Sequence, residues 1–293
     1  MELSVYHTGI LITMGVNVLL GLSVYVMLST GQLSLGTAGF MALGAYTSSV
    51  LTKVLKWDLS LALVSGAVLA SIVGIIIAFP ALRLRGIYLA LATLGFGEVV
   101  RVFFDNFENT GAAVGYRGMS GTTLVGVFLW VAVFIVIFWR LYSSRLGRAF
   151  NAVAQDETVA EAMGLNITLI KIAAFAFSGF VGGVAGGLYA HDTMWIGPYH
   201  FGIMVSLFAV LVVILGGAET FWGVILGAGI FAILPEALRF MSAWRMAVYG
   251  LIFVFILIFR PSGLLTLDML GLFSRRRVGR GVPPFADQDA RLG

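Results

Sequence analysis

The chain contains no cysteine. That excludes a disulfide framework, a thiolate metal site and a cysteine nucleophile. Histidine is nearly as scarce, at three residues, which is too few for a histidine-built metal centre. Charge is short as well. Only 11% of the 293 residues are Asp, Glu, Lys or Arg, against about 25% in ordinary proteins. A soluble domain of this length could not cover its surface with so few charged groups. Soluble enzymes, disordered proteins and nucleic-acid binders are excluded on that ground. No Gly-Lys-Ser or Gly-Lys-Thr occurs, so the chain has no Walker A phosphate loop. Nothing resembles a catalytic constellation either: His191 and Asp192 are neighbours, while His7 and His200 stand apart. Adjacent residues without partners do not make a metal or nucleophile site.

What is present is apolar. Hydrophobic residues make up 60% of the chain, and the mean hydropathy is +1.01. The fold class that follows is an all-α polytopic bundle of transmembrane helices. A helix needs ~20 apolar residues to cross a bilayer. The first stretch free of Asp, Glu, Lys and Arg covers 3–52. It is too long for one helix and suits two, with a break near Ser29-Thr30-Gly31-Gln32. Further stretches at 59–82, 86–97, 118–139, 172–191, 193–218, 220–235 and 246–259 bring the expectation to about nine spans, bracketed by eight and ten. No basic residue precedes the first apolar run, so that run is expected to stay as a helix and not to be cleaved as a signal peptide. Glycine, at 37 residues, exceeds the usual ~7% and suits close helix packing in a membrane.

Orientation follows from Lys and Arg, which favour the cytoplasmic side. Placing the 140–171 loop there puts two thirds of the 18 Lys and Arg residues on that side. The N-terminus is then external and the C-terminus cytoplasmic. The expected organisation is a permease domain over 1–273 and an Arg-, Gly- and Pro-rich cytoplasmic tail over 274–293, disordered and acting as a charge anchor.

Residues 143–171 form the longest polar segment inside the membrane domain. Apolar residues at helical spacings alternate there with Arg145, Arg148, Asp156, Glu157 and Glu161. The pattern predicts two short helices, the second opened by a Thr158-to-Glu161 capping box and ended by Gly164. Two readings stand: a solvated connector, or an element that docks a compact apolar face into a cytoplasmic partner.

Several segments carry a family resemblance. Gly31-Gln32-Leu33-Ser34-Leu35-Gly36 with Gly39-Phe40 and Gly44-Ala45-Tyr46 is similar to the start of the branched-chain amino acid ABC importer permeases. So are Ala92-Thr93-Leu94-Gly95-Phe96-Gly97-Glu98, the 147–166 loop, Leu215-Gly216-Gly217, Pro235-Glu236 and Phe259-Arg260-Pro261-Ser262-Gly263-Leu264. The resemblance covers roughly 10–265, and the Thr-Leu-Gly-Phe-Gly-Glu block is similar to LivM-type subunits in place of LivH-type ones. It implies a transport subunit of the bacterial inner membrane and not an enzyme. Its implied partners are a LivH-type second permease, two cytoplasmic ATPase subunits that bind ATP and Mg, a periplasmic substrate-binding protein and membrane lipid, with no nucleic acid. No cofactor or metal is implied for this chain itself. The 143–171 loop resembles the EAA coupling loop of other ABC importers, with Glu161, Ala162 and Gly164 at its core. Arg148, Asp156 and Glu157 lie within the same implied ATPase-coupling loop. A urea or short-amide permease of the same family and an ATP-independent secondary transporter are the competing readings.

Ionisable groups at membrane depth are costly. Glu98 and Arg101 share a helix face, and Glu236 and Arg239 repeat the spacing. Glu98, Arg101 and Glu236 are therefore candidates to line or gate the pathway, against the plainer reading of interfacial ion pairs. Gln32 and Ser34, in the glycine-interrupted early segment, join them as candidate pathway residues. Gly179, Gly183 and Gly187 form a four-residue ladder, as do Gly223 and Gly227. Helix-helix packing is the expected role of these small residues.

Overall fold

The computed structural model describes residues 5–237 together with 248, 250, 251, 254, 258 and 263–265. Ten α-helices occur among the described residues. Eight are long: α1 (Val5–Leu28), α2 (Thr37–Val54), α3 (Leu59–Ala81), α4 (Ile87–Asn106), α5 (Leu124–Ser143), α8 (Ile167–Thr193), α9 (Ile203–Gly216) and α10 (Phe221–Ala237). Two are short, α6 (Arg145–Gln155) and α7 (Glu157–Ala162). Six helical segments are long and apolar enough to cross a membrane. The candidate last span at 246–259, Arg239 and the 274–293 tail lie outside the continuous described stretch, so their expected structure is not part of the fold described.

The residue pattern inverts that of a water-soluble bundle. On α3 the bulky Leu61, Val68, Ile72, Ile76 and Phe79 are exposed, while Ala62, Gly66, Ala67, Ala70, Gly74 and Ala78 are buried. Lipid tails are as apolar as leucine, so no hydrophobic force pushes large side chains inward. Close contact between backbones is what holds such helices together. The helix α1 is apolar on all sides, as a fully surrounded helix should be, and most of its residues from Val16 to Met27 are buried. It runs beside α8, α10, α5 and α9. The centre of the bundle is α8, against which α1, α2 and α3 all pack. A buried hydrogen bond joins α1 to α8, with Ser23 Oγ donating to the Ser178 carbonyl at 2.8 Å.

Each end of the bundle has its own construction. At one end, a two-stranded antiparallel ribbon pairs β1 (Tyr116–Arg117) with β2 (Trp195–Ile196), so the loop after α4 is tied to the loop after α8. The Lys53 ammonium sits 4.3 Å over the Tyr116 ring. Burial pushes the Tyr116 phenol above its ordinary pKa. Below the ribbon, buried His191 links two helices. Its Nδ1 donates to the Gly187 carbonyl at 2.8 Å, since a carbonyl can only accept, and its Nε2 meets Thr52 Oγ1 at 2.9 Å. At the opposite end lie α6, α7, the C-termini of α1 and α5, and the turn between α9 and α10.

The predicted break in the first apolar run is present. Helix α1 ends at Leu28 and α2 begins at Thr37. One detail of the 143–171 loop differs from expectation. Helix α7 does not open on a Thr158 capping box. It starts earlier, and Asp156 is the cap, its Oδ1 accepting from the Thr158 and Val159 amides at 2.8 and 3.1 Å. The two motifs overlap in sequence, and a carboxylate that reaches two free amides outcompetes a threonine that would reach one. Gly164 ends the segment in a left-handed conformation, φ +85°, which glycine adopts without a Cβ penalty.

Candidate functional site

The short-helix end is built from the loop upward. On α6 the face formed by Gly147, Ala149, Phe150 and Val153 is buried against the bundle. Gly147 lies where α5 turns into α6, and a Cβ there would press on the Leu141 and Tyr142 backbone. Helix α7 buries only Ala160. Its outward surface carries Val159, Glu161, Ala162, Met163 and Gly164, all exposed, and Met163 is 80% exposed. Of the loop residues named from sequence, two are held inside the loop itself. Asp156 caps α7, and Glu157 accepts from Lys171 Nζ at 2.6 Å, tying α7 to α8. Arg148 is exposed and donates weakly to the Ser143 carbonyl at 3.5 Å. Val159 and Met163 belong to the apolar positions of the 143–171 loop, and neither is among the site residues expected from sequence. Exposure, which periodicity over so short a helix cannot give, is what sets them apart.

The loop rests directly on the helix break. Gly31, with φ +73°, sits against Ala154 of α6. Tyr142, at the end of α5, donates to Ser29 Oγ at 2.6 Å. Its ring lies 5.2 Å from Tyr25, whose hydroxyl donates to the Glu219 carbonyl at 3.4 Å. Leu264 and Leu265 donate their amides to the carbonyls of Leu215 and Gly216, both at 2.9 Å, closing the same end.

From Gly31 the chain runs non-helically into the bundle. Ser29, Thr30, Gln32 and Ser34 are all buried. Non-helical backbone at membrane depth must find internal partners, and here hydroxyls supply them. The Leu35 amide donates to Thr93 Oγ1 of α4 at 2.9 Å, the Gly36 amide to Ser34 Oγ at 3.3 Å, and the Ala38 amide to Ser206 Oγ of α9 at 3.0 Å. Thr93 is the seventh residue of α4, so α2 begins roughly 10 Å inside the bundle at 1.5 Å rise per residue. Gln32 Nε2 donates to Thr30 Oγ1 at 3.0 Å. Gln32 Oε1 is buried and has no hydrogen-bond partner.

At the start of α2 lies a narrow cleft, lined by Leu35, Ala38, Glu98, Phe201, Ile203 and Ser206 among others. Two helix N-termini, those of α2 and α9, border it. Each presents the positive end of its macrodipole, which favours the Glu98 carboxylate beside them. Glu98 also accepts from Arg101 Nε at 2.6 Å, and both side chains are partly exposed. Cleft residue and ion pair are thus the same carboxylate, so the two readings of Glu98 are compatible. Glu236 lies near the end of α10, and its partner in the repeated spacing, Arg239, is outside the described residues.

The glycines occupy defined contacts. Gly179 and Gly183 lie against Ala70 and Ala67 of α3, and Gly187 against Leu63. Gly182 and Gly186, also four apart on α8, face α2, where a Cβ on Gly186 would fall on the Met41 carbonyl. Gly223 and Gly227 of α10 meet Gly216 at the end of α9.

A family model described as "Branched-chain amino acid transport system / permease component" matches residues 6–257. The chain belongs to that family of transport permeases. The permease is 33% identical over 294 residues to the high-affinity branched-chain amino acid transport system permease protein LivM of Salmonella typhimurium, covering 88% of this chain and 68% of the relative. Identity to the LivM protein of Escherichia coli is also 33%, over 93% of this chain and 71% of that one. The autoinducer 2 import system permease protein LsrC of Escherichia coli is 24% identical over 225 residues, covering 72% of this chain and 64% of the relative. No solved structure matches the permease. Family and helices together make it a multi-pass membrane protein with an all-α fold.

Proposed function

We propose that the permease is one transmembrane subunit of an ATP-binding-cassette importer that carries branched-chain amino acids across the bacterial inner membrane. A LivH-type permease completes the membrane part. Two cytoplasmic ATPases bind ATP and Mg and supply the energy, and a periplasmic binding protein delivers substrate. The N-terminus and the β ribbon face outward; α6 and α7 face the cytoplasm. The substrate class rests on the names of the LivM relatives.

The observation that carries the mechanism is the contact between α6 and the helix break. The exposed surface of α7 docks into an ATPase groove, and ATP-driven movement of the ATPases shifts the loop. Because α6 sits on Gly31 and α5 is pinned to Ser29 through Tyr142, that shift reaches the break without an intermediate element. The break continues to Gln32, Ser34 and the start of α2, where Glu98 lines the cleft. A ligand-driven shift requires an element with two arrangements that the drive distinguishes. An interrupted helix supplies one, since its residues are already outside the helical hydrogen-bond ladder. In this reading Glu98 lines the pathway, and Glu98→Gln lowers uptake at least about tenfold, by loss of a charged hydrogen-bonding group. Uptake at wild-type rate by that variant, at equal protein level, removes Glu98 from the pathway.

The reading is tested by reconstituting the chain in liposomes with its LivH-type partner, ATPases and binding protein. Leucine uptake that requires ATP and all four components is the expected result. Uptake by this chain alone under an ion gradient would overturn it in favour of a secondary transporter. The LsrC relative favours a second substrate reading within the same architecture, because this sequence pattern also occurs in a permease named for autoinducer 2. Urea and short amides stay in the competition panel as the other substrates that the family resemblance implies.

A further inference from the structure

A second, larger cavity, about 170 Å³, opens between α1, α2, α8, α9 and α10. It lies near the ribbon end, since Asp192 and His200 from that end line it, together with Asn17 of α1. The remaining wall is largely apolar and includes Leu20, Phe208 and Val212.

Three observations define its chemistry. Asp192 is only half-buried but has no hydrogen bond or ion pair among the described residues. It stands in the last turn of α8, two residues before the αL residue Met194 that closes the helix. The negative end of the α8 dipole and the carboxylate therefore coincide. A carboxylate is normally disfavoured at that position, whereas a cation is favoured there. No described residue supplies that cation. Its neighbour His191 is fully engaged by Gly187 and Thr52, so the two adjacent residues do separate jobs. On the opposite sign, His200 Nδ1 accepts from the Gly197 amide at 3.2 Å. The neutral ring then carries its proton on Nε2, which is left as a donor. The Asn17 side chain likewise has no hydrogen bond among the described residues and offers two N–H donors.

We propose that this cavity binds the transported amino acid as a zwitterion. Its ammonium meets Asp192 at the C-terminus of α8, its carboxylate takes donors from Asn17 and His200 Nε2, and its aliphatic side chain lies on the Leu20, Phe208 and Val212 wall. A neutral amide or a sugar-like ligand would leave the Asp192 charge uncompensated and is selected against. The site rests on the amino-acid import reading above and adds to it the residues that recognise the substrate.

The test uses the whole reconstituted importer with leucine-loaded binding protein. Uptake is expressed per assembled complex, counted by co-purified ATPase, so that a folding defect is not scored as a transport defect. Asp192→Asn is expected to lower maximal uptake at least about 30-fold, the low end of the effect of losing one partner of a desolvated charge pair. The half-saturating concentration of loaded binding protein should stay within about twofold, because a group that meets only the released amino acid does not change uniform binding of the protein that delivers it. Asp192→Glu should restore a substantial part of the rate, which a purely packing role would not do, since the longer side chain packs worse and only its charge is retained. Asp192→Asn with wild-type maximal uptake overturns the site while leaving the import reading intact. Loss in Asp192→Asn with no recovery in Asp192→Glu also overturns it, as does a change confined to the half-saturating concentration. A wild-type importer that takes up no aliphatic amino acid overturns the import reading, and the site falls with it.

Discussion

Gly44→Val should leave almost no folded permease in the membrane. Gly44 lies on α2 where that helix crosses α8, and a Cβ at this position would fall inside the Gly183 backbone. On the third side Gly66 of α3 presses on the Gly44 carbonyl, so three glycines from three helices meet at one point. A side chain that meets another side chain can be accommodated by a rotamer change. One that meets backbone cannot, and the helices must separate. Overpacking a core usually costs about 1–3 kcal/mol. Here the separation removes contacts along α2, α3 and α8 together, so the cost belongs among the large values, above about 4 kcal/mol. The measurement is the monodisperse peak of detergent-extracted protein on fluorescence-detected size exclusion, against membrane abundance. Gly95→Ala is the control: nothing lies within 4 Å of a Cβ there, and alanine is favoured over glycine in a helix by about 1 kcal/mol. That variant should accumulate normally. Wild-type accumulation of Gly44→Val would show that the crossing is looser than the three-glycine contact implies.

The second large effect concerns the cytoplasmic loop. The double variant Val159→Asp, Met163→Glu should reduce ATPase co-purification and ATP-driven uptake by about 100-fold or more. Both side chains are apolar and exposed, at 55% and 80%, on a helix tied down by the Asp156 cap and the Glu157–Lys171 ion pair. An apolar anchor buried on docking contributes on the order of 2 kcal/mol at a hot spot. Replacing it with a carboxylate adds the cost of desolvating a charge. Because neither side chain is packed within the permease, its own stability should change by no more than about 0.5 kcal/mol. Equal permease abundance with lost ATPase is the signature. Retention of the ATPase at wild-type stoichiometry would place the docking surface elsewhere, Leu146 of α6 being the next exposed apolar side chain in the loop.

The readings that succeeded from sequence share one property: the interacting residues are close in the chain. The break after Leu28 was legible because 3–52 is twice the length of one span and carries Gly31, Gln32 and Ser34 where a helix would need apolar side chains. The Glu98–Arg101 pair was legible because residues three apart on a helix must share a face. The end of α7 was legible from Gly164 for a similarly local reason. The start of α7 was not, since two capping motifs overlapped and only geometry chose Asp156.

Residues brought together from distant helices were not legible. Asp192 reads as a loop residue beside a histidine, because nothing in the sequence announces that Asn17 and His200 border the same cavity. Val159 and Met163 read as ordinary apolar positions until the structure leaves them uncovered. By itself the sequence determined that this protein lives in a membrane, as an all-helical chain with glycine-lined crossings and without the means to hydrolyse ATP through a Walker A loop. Hydropathy, span length and motif content are sums or short patterns along the chain, so they survive without coordinates. Only the tertiary structure decided which glycine meets which helix, that α6 bears on the helix break, and that a carboxylate with no partner among the described residues lines a largely apolar cavity. Each of those is a relation between segments far apart in sequence, and in lipid it is set by backbone shape and hydrogen-bond complementarity, which hydrophobicity alone does not encode.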